Sequence, residues 1–306
     1  MWLAFAFLSA ALLGFYDVFK KQSLKNNAVI PVLFLNTLFC SLIFLPFIIL
    51  SACGSSLMEG SMFYVPQVGW ESHQYIVLKS CIVLSSWILG YFGIKHLPIT
   101  LVGPINATRP VMVLIGAMLV FGERLNLYQW IGVLLAIFSF FLLSRSGKKE
   151  GIDFKQNRWV FAIVGAAVLG AVSGLYDKFL MASTSDGGLC LDRMVVQSWY
   201  NIYQCFMMGA MLLLLGYPKR RQTTPFHWHW TIIFISLFLS AADFAYFYAL
   251  SLDDAMISIV SMVRRGSVIV SFLFGAMVFR EKNLRSKAID LLLILICMVF
   301  LYLGSR

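Results

Sequence analysis

Along this chain apolar residues do not alternate with polar ones; they come in blocks, each closed by a short polar break. The blocks fall near residues 2–19, 29–51, 75–94, 98–121, 127–144, 159–180, 193–216, 230–250, 255–279 and 287–303. A helix of about twenty apolar residues crosses a hydrocarbon core about 30 Å thick. Backbone polar groups find no water there, so each span must satisfy its own as a helix. The pattern therefore predicts an all-α integral membrane protein with ten transmembrane helices.

Short matches recur between the two halves. GFYDVF from Gly14 returns as GLYDKF from Gly174, near the ends of helices one and six. Asn36 and Cys40 return as Asn201 and Cys205, GYF at Gly90 as AYF at Ala245, and FGE ending at Glu123 as FRE ending at Glu281. Carried forward, this register sets Arg109 opposite Arg264, in helices four and nine. The charged stretch from Ser144 to Arg158 separates the units, giving residues 1–147 and 148–306 as two five-helix repeats.

Five is odd, so the second unit must enter the membrane with opposite polarity, as an inverted repeat. Loop charges agree. Lys20, Lys21 and Lys25 follow helix one, whereas Asp186, Asp192 and Arg193 follow helix six. Glu59 and Glu71 follow helix two, against Lys219, Arg220 and Arg221 after helix seven; Lys95 follows helix three, against Asp253 and Asp254 after helix eight. The positive-inside rule then puts the basic loops in the cytoplasm and both termini outside.

Composition supports lipid as the solvent: 60% of the 306 residues are hydrophobic and 12% are charged. The net charge of +10 sits in short clusters between spans, which fits topology and anionic headgroups, not nucleic acid. The six cysteines form no CxxC pair and fall mostly in apolar runs, so neither disulfides nor metal are expected. The first span lacks a basic leader and a small-residue cleavage site and is expected to stay in the mature protein. His227, Trp228, His229 and Trp230 open a span and read as an interfacial belt, not a metal site.

Charged side chains inside spans carry the functional signal, because each costs roughly 2.5–3.5 kcal/mol at the bilayer centre and persists where it lines a cavity or finds a partner. Asp17 and Asp177 follow Tyr16 and Tyr176 near the ends of helices one and six. They are candidates for proton coupling or a substrate amine, or for plain pairing with Lys20 and Lys178. Arg109 lies deeper, with Asn106 and Thr108 beside it and Pro104 and Pro110 positioned to break the helix ladder. Arg264 and Arg265 occupy the matching place, with Asp243 as their best acceptor and Asp290 as another. Since a buried ion pair repays its desolvation poorly, an anionic substrate group is the other claimant for these arginines. Trp87, Tyr91, Tyr246 and Tyr248 could wall the pocket. Glu123 and Glu281, beside Arg124 and Lys282, read as interfacial ion pairs.

The two five-helix units, the polar end of helix one and the run PVMVLIGAMLVFGERL, echoed by VRRGSVIVSFLFGAMVFREK, resemble EamA-type members of the drug/metabolite transporter superfamily. The resemblance implies a ten-helix basket with a cavity formed by helices one, three, four, six, eight and nine, and helices five and ten at the periphery. It also implies alternating access, often with export of amino acids or related metabolites. Several relatives place both termini in the cytoplasm, contrary to the loop charges here.

The expectation is a multi-pass inner-membrane transporter of a small polar metabolite, without cofactor, coupled to protons through Asp17 and Asp177. Efflux of lipophilic cations is the rival chemistry, and three arginines near the pathway oppose it. A membrane scaffold would need an exposed module that the short loops do not supply. No HExxH or GxSxG marks an enzyme.

Overall fold

The protein, as a computed structural model, is described over residues 2–54, 58, 60–112, 115, 126–148, 152, 156–181, 184, 187–216, 224–252, 260, 263–279 and 284–304. Glu59, Glu123, Asp153, Asp186, Lys219, Arg220, Arg221, Asp253, Asp254 and Glu281, on which parts of the loop-charge and end-pair readings rest, lie outside these residues.

Ten α-helices and no strand occur among the described residues. They are α1 (Trp2–Ser23), α2 (Val29–Ala52), α3 (Trp70–His96), α4 (Ile99–Ala107) and α5 (Leu127–Lys148). Then come α6 (Arg158–Met181), α7 (Arg193–Met211, continued by a π-turn to Gly216), α8 (Thr231–Leu250), α9 (Ser267–Met277) and α10 (Leu284–Gly304). Among the described residues six stretches are long and apolar enough to cross a membrane: Trp2–Ser23, Val29–Ala52, Trp70–His96, Arg158–Met181, Thr231–Ala249 and Lys287–Gly304.

Local chemistry explains several boundaries. Asp192 caps α7, its carboxylate accepting from the Met194 N–H at 2.7 Å. At the start of α5, Asn126 and Gln129 form a reciprocal capping box, with both backbone-to-side-chain bonds at 2.9 Å. The Asn126 amide also donates to the Gly304 carbonyl at 2.6 Å, tying the start of α5 to the end of α10.

Two expected spans are interrupted, the first beside Pro110, one of the two prolines expected to break its ladder. Residues 98–121 and 255–279 are not each one unbroken helix over the described residues. Helix α4 stops at Ala107, where Thr108 caps it and bonds its hydroxyl to the Ile105 carbonyl at 2.7 Å, and helical backbone resumes at Arg109. Pro110 has no N–H to give the ladder and crowds the preceding turn, which accounts for the break. In the second half residues 263–265 are helical, Gly266 turns, and α9 begins at Ser267. Each break falls beside an arginine.

The helices pack in an order that survives exchange of the halves. Helix α1 packs on α8 and α9, while α6 packs on α3 and α4. Likewise α2 packs on α8 and α7 on α3, and the pairs α2–α7, α4–α9 and α5–α10 each join one helix to its counterpart. Serines join them: Ser9 donates to the Ala242 carbonyl at 2.6 Å, Ser86 to that of Ala166 at 2.7 Å and Ser41 to that of Asn201 at 2.8 Å. Such bonds are the usual glue where lipid removes the hydrophobic drive for helix association. Gly14 and Gly103 let α1 and α4 approach α9, since a Cβ at either would meet Val270 or Val268 at 2.4–2.5 Å.

Large apolar side chains such as Leu134, Phe141, Phe206 and Leu213 stay exposed on the outside. Charged residues are buried inside, among them Lys79 at 2% exposure and Asp177 and Asp243 at 8%. This inside-out distribution belongs to a protein dissolved in lipid around a polar interior.

Candidate functional site

A central cavity of about 170 Å³ is walled by α1, α3, α4, α6, α7, α8, α9 and the arginine-bearing turns beside α4 and α9. Eleven of the twelve site residues expected from sequence line it: Tyr16, Asp17, Trp87, Tyr91, Asn106, Arg109, Asp177, Asp243, Tyr246, Arg264 and Arg265. The exception is Tyr176. It points away and donates its hydroxyl to the Tyr75 carbonyl at 3.2 Å, because two successive residues of a helix face different ways and Asp177 holds the inward position. Tyr248 also lies off the cavity, packed on the Phe5 ring at 4.6 Å with Arg193 over its face.

The carboxylates are all engaged. Asp17 accepts from Lys20, one helical turn on, at 2.6 Å. Asp177 is ion-paired with Lys79, 98 residues earlier on α3. Asp243 is paired with Arg264 and accepts from the Tyr200 hydroxyl at 2.7 Å, so its two oxygens serve different donors. Asp290 is not a partner for the arginines; it lies off the cavity on α10, its carbonyl accepting from Ser139 of α5 at 3.0 Å.

Aromatic faces steady the cations. The Lys20 ammonium lies 4.2 Å from the Tyr16 ring centroid and 5.4 Å from that of Tyr91. Lys79 lies 5.1 Å from Tyr200 and 5.6 Å from Phe247, and the Arg264 guanidinium stands 4.2 Å over Tyr246.

Two guanidiniums have no such neutralisation. Arg109 donates to the neutral Asn106 side chain at 3.1 Å, and among the described residues no carboxylate pairs with it or with Arg265. The Nε atoms of both are buried without a hydrogen-bond partner among the described residues. Arg109 lies flat on α6 at Gly170, where an added Cβ would come within 2.6 Å of the guanidinium carbon. The missing side chain at 170 is thus what lets the cation lie at this depth.

Sequence reasoning missed Lys79, Tyr200 and Gly170. Lys79 was recoverable, being a lone charge inside an apolar block, the same signal that drew attention to Arg109. Tyr200 lies in α7 beside Gln197 and Asn201, and nothing in that pattern says which polar face turns inward.

A helical bundle with an apolar exterior and a charged cavity is that of a multi-pass membrane protein. Residues 1–145, just under half of the chain, match the EamA-like transporter family. One crystal structure, described simply as that of a protein, superposes with a TM-score of 0.64 over 99% of this chain and 98% of its own, at 13% identity. That likeness speaks for a shared fold. No curated protein matches the sequence.

Proposed function

We propose that this chain is a secondary transporter of ten membrane spans, built from inverted repeats at residues 1–147 and 148–306. It resides in the cell inner membrane and exports a small polar metabolite, such as an amino acid or organic acid, by alternating access. The exchange-symmetric helix pairing supports the repeat, and the breaks beside Arg109 and Gly266 resemble the discontinuous helices at which transporters build their sites.

The observation that carries the reading is the pair Arg109 and Arg265, two half-buried guanidiniums in a cavity with no carboxylate of their own among the described residues. An anionic group of the substrate supplies the missing charge through charge-assisted hydrogen bonds. Arg264, already held by Asp243, orients the wall. Asp17 and Asp177 hold Lys20 and Lys79 in this conformation, and they exchange these partners for a proton or a substrate amine as the halves rock.

The test is uptake into vesicles reconstituted with purified protein, alongside a thermal-shift screen of amino acids, organic acids and quaternary ammonium compounds. A bound ligand raises the melting temperature by mass action. Losing one charge-assisted contact costs about 1.5–3 kcal/mol, so Arg109→Gln should weaken binding about tenfold to a hundredfold and abolish transport while the protein stays folded. Unchanged transport refutes the assignment, and stabilisation by quaternary ammonium compounds alone would mean cation efflux instead.

A further inference from the structure

The two halves neutralise their arginines differently. The register that sets Tyr91 opposite Tyr246 and Arg109 opposite Arg264 sets Ile88 opposite Asp243. Arg264 therefore has a carboxylate one helix away, whereas the position matched to it in sequence carries an isoleucine, which packs in the apolar core. The same register sets Pro110 opposite Arg265, so Arg265 is a cation with no twin and no partner carboxylate among the described residues.

Five cations line the cavity, Lys20, Lys79, Arg109, Arg264 and Arg265, against three carboxylates, Asp17, Asp177 and Asp243. Three ion pairs consume Lys20, Lys79 and Arg264. The remainder is two positive charges, on Arg109 and Arg265, with Asp17, already held by Lys20, the carboxylate whose field reaches both. Asn106 accepts a hydrogen bond from Arg109 but carries no charge. In a low-dielectric interior two uncompensated cations are costly, and a monoanion or a zwitterion would leave at least one of them so.

Resting on the reading of this cavity as the transport site, we propose that the solute is a compact dianion bridging Arg109 and Arg265. Its two charges sit on separate carboxylates or together on one phosphate monoester. Such a ligand completes the charge balance that the three ion pairs of the cavity leave open.

Binding of succinate, glycerol phosphate, butyrate and 4-aminobutyrate to the purified full chain near neutral pH tests this, by calorimetry and thermal shift. Succinate or glycerol phosphate should bind at least about tenfold tighter than butyrate and 4-aminobutyrate, a step of one factor of ten in the dissociation constant. Whichever of the two dianions binds tighter identifies the carrier of the charge. Arg265→Gln should shrink the dianion-to-butyrate preference by about tenfold, and Arg265→Lys, which keeps the charge, should retain most of it. A preference unchanged by Arg265→Gln overturns the inference. If butyrate or 4-aminobutyrate binds as tightly as both dianions, the dianion inference falls and the transporter reading stands. If none of the four binds, the arginines are no anion site and both fall.

Discussion

The two helix breaks of this molecule hold the same side chain in opposite electrical circumstances. At the second break Arg264 is clasped by Asp243, stacked over Tyr246 at 4.2 Å and joined through the carboxylate to Tyr200. At the first, Arg109 has one neutral acceptor, Asn106, and the bare backbone of Gly170 beneath it. One arginine is part of the wall and the other is available to a solute. On the proposed repeat, the two halves keep a common helix packing while differing at single residues: the sequence register sets Ile88 opposite Asp243.

The comparison breaks hardest at Asp243. Asp243→Asn leaves Arg264 buried without its counter-charge, which costs about 3–5 kcal/mol. The detergent-solubilised protein should melt at a much lower temperature, and Asp243→Asn combined with Arg264→Gln should recover much of the loss. A double variant no more stable than the single one would mean that Asp243 acts through Tyr200 alone. Arg109→Gln, by contrast, removes a charge that has no partner and should leave the melting temperature unchanged or higher while transport fails.

A smaller effect is expected at Lys79, whose pair with Asp177 is cushioned by the rings of Tyr200 and Phe247. Lys79→Met keeps the stem's apolar contacts and removes the charge, leaving Asp177 to protonate or recruit another cation. A destabilisation of about 2–3 kcal/mol is expected, as for a buried pair whose surviving carboxylate can neutralise itself by taking a proton. It should grow as pH rises, because at high pH the orphaned carboxylate stays charged. A melting temperature difference independent of pH would show that Asp177 is solvated in the variant.

How much of this was legible follows from what each signal depends on. The block pattern located eight of the ten helices within about five residues of their ends, since apolar length in lipid is a local property, and it overran the ends of α4 and α9, where the helices break beside the arginines. The arginines, the aspartates and most of the aromatic wall were legible for a related reason: a polar group inside an apolar block has few places to go, and a cavity is one of them. Partners were legible in part. Lys20 for Asp17 and Asp243 for Arg264 were named from the sequence, whereas Asp177 reaches back 98 residues to Lys79 and Asp243 shares itself with Tyr200 on α7, pairings that exist only once helices are assembled. Tyr176 shows the limit of the repeat argument, because a matched tetrapeptide fixes neighbours in sequence and says nothing of which face of the helix each takes.

The finest test concerns the floor under Arg109. Gly170→Ala adds a methyl where the guanidinium now lies, with the nearest atoms at 2.6 Å. An alanine inside an exposed helix would stabilise it by about 0.4–1 kcal/mol relative to glycine through the unfolded chain. Here that gain is set against displacement of a flexible side-chain tip, which can move within the cavity without disturbing α6. Stability should therefore stay within about 1 kcal/mol of the parent, while the apparent affinity for substrate falls several-fold because Arg109 no longer reaches its place. Gly174, one turn on, has nothing near its missing Cβ, so Gly174→Ala supplies the control with the same change in helix propensity and no effect on the arginine. Equal transport by the two alanine variants would show that Arg109 does not need the floor that Gly170 provides; a loss confined to Gly170→Ala would tie the position of that one guanidinium to solute binding.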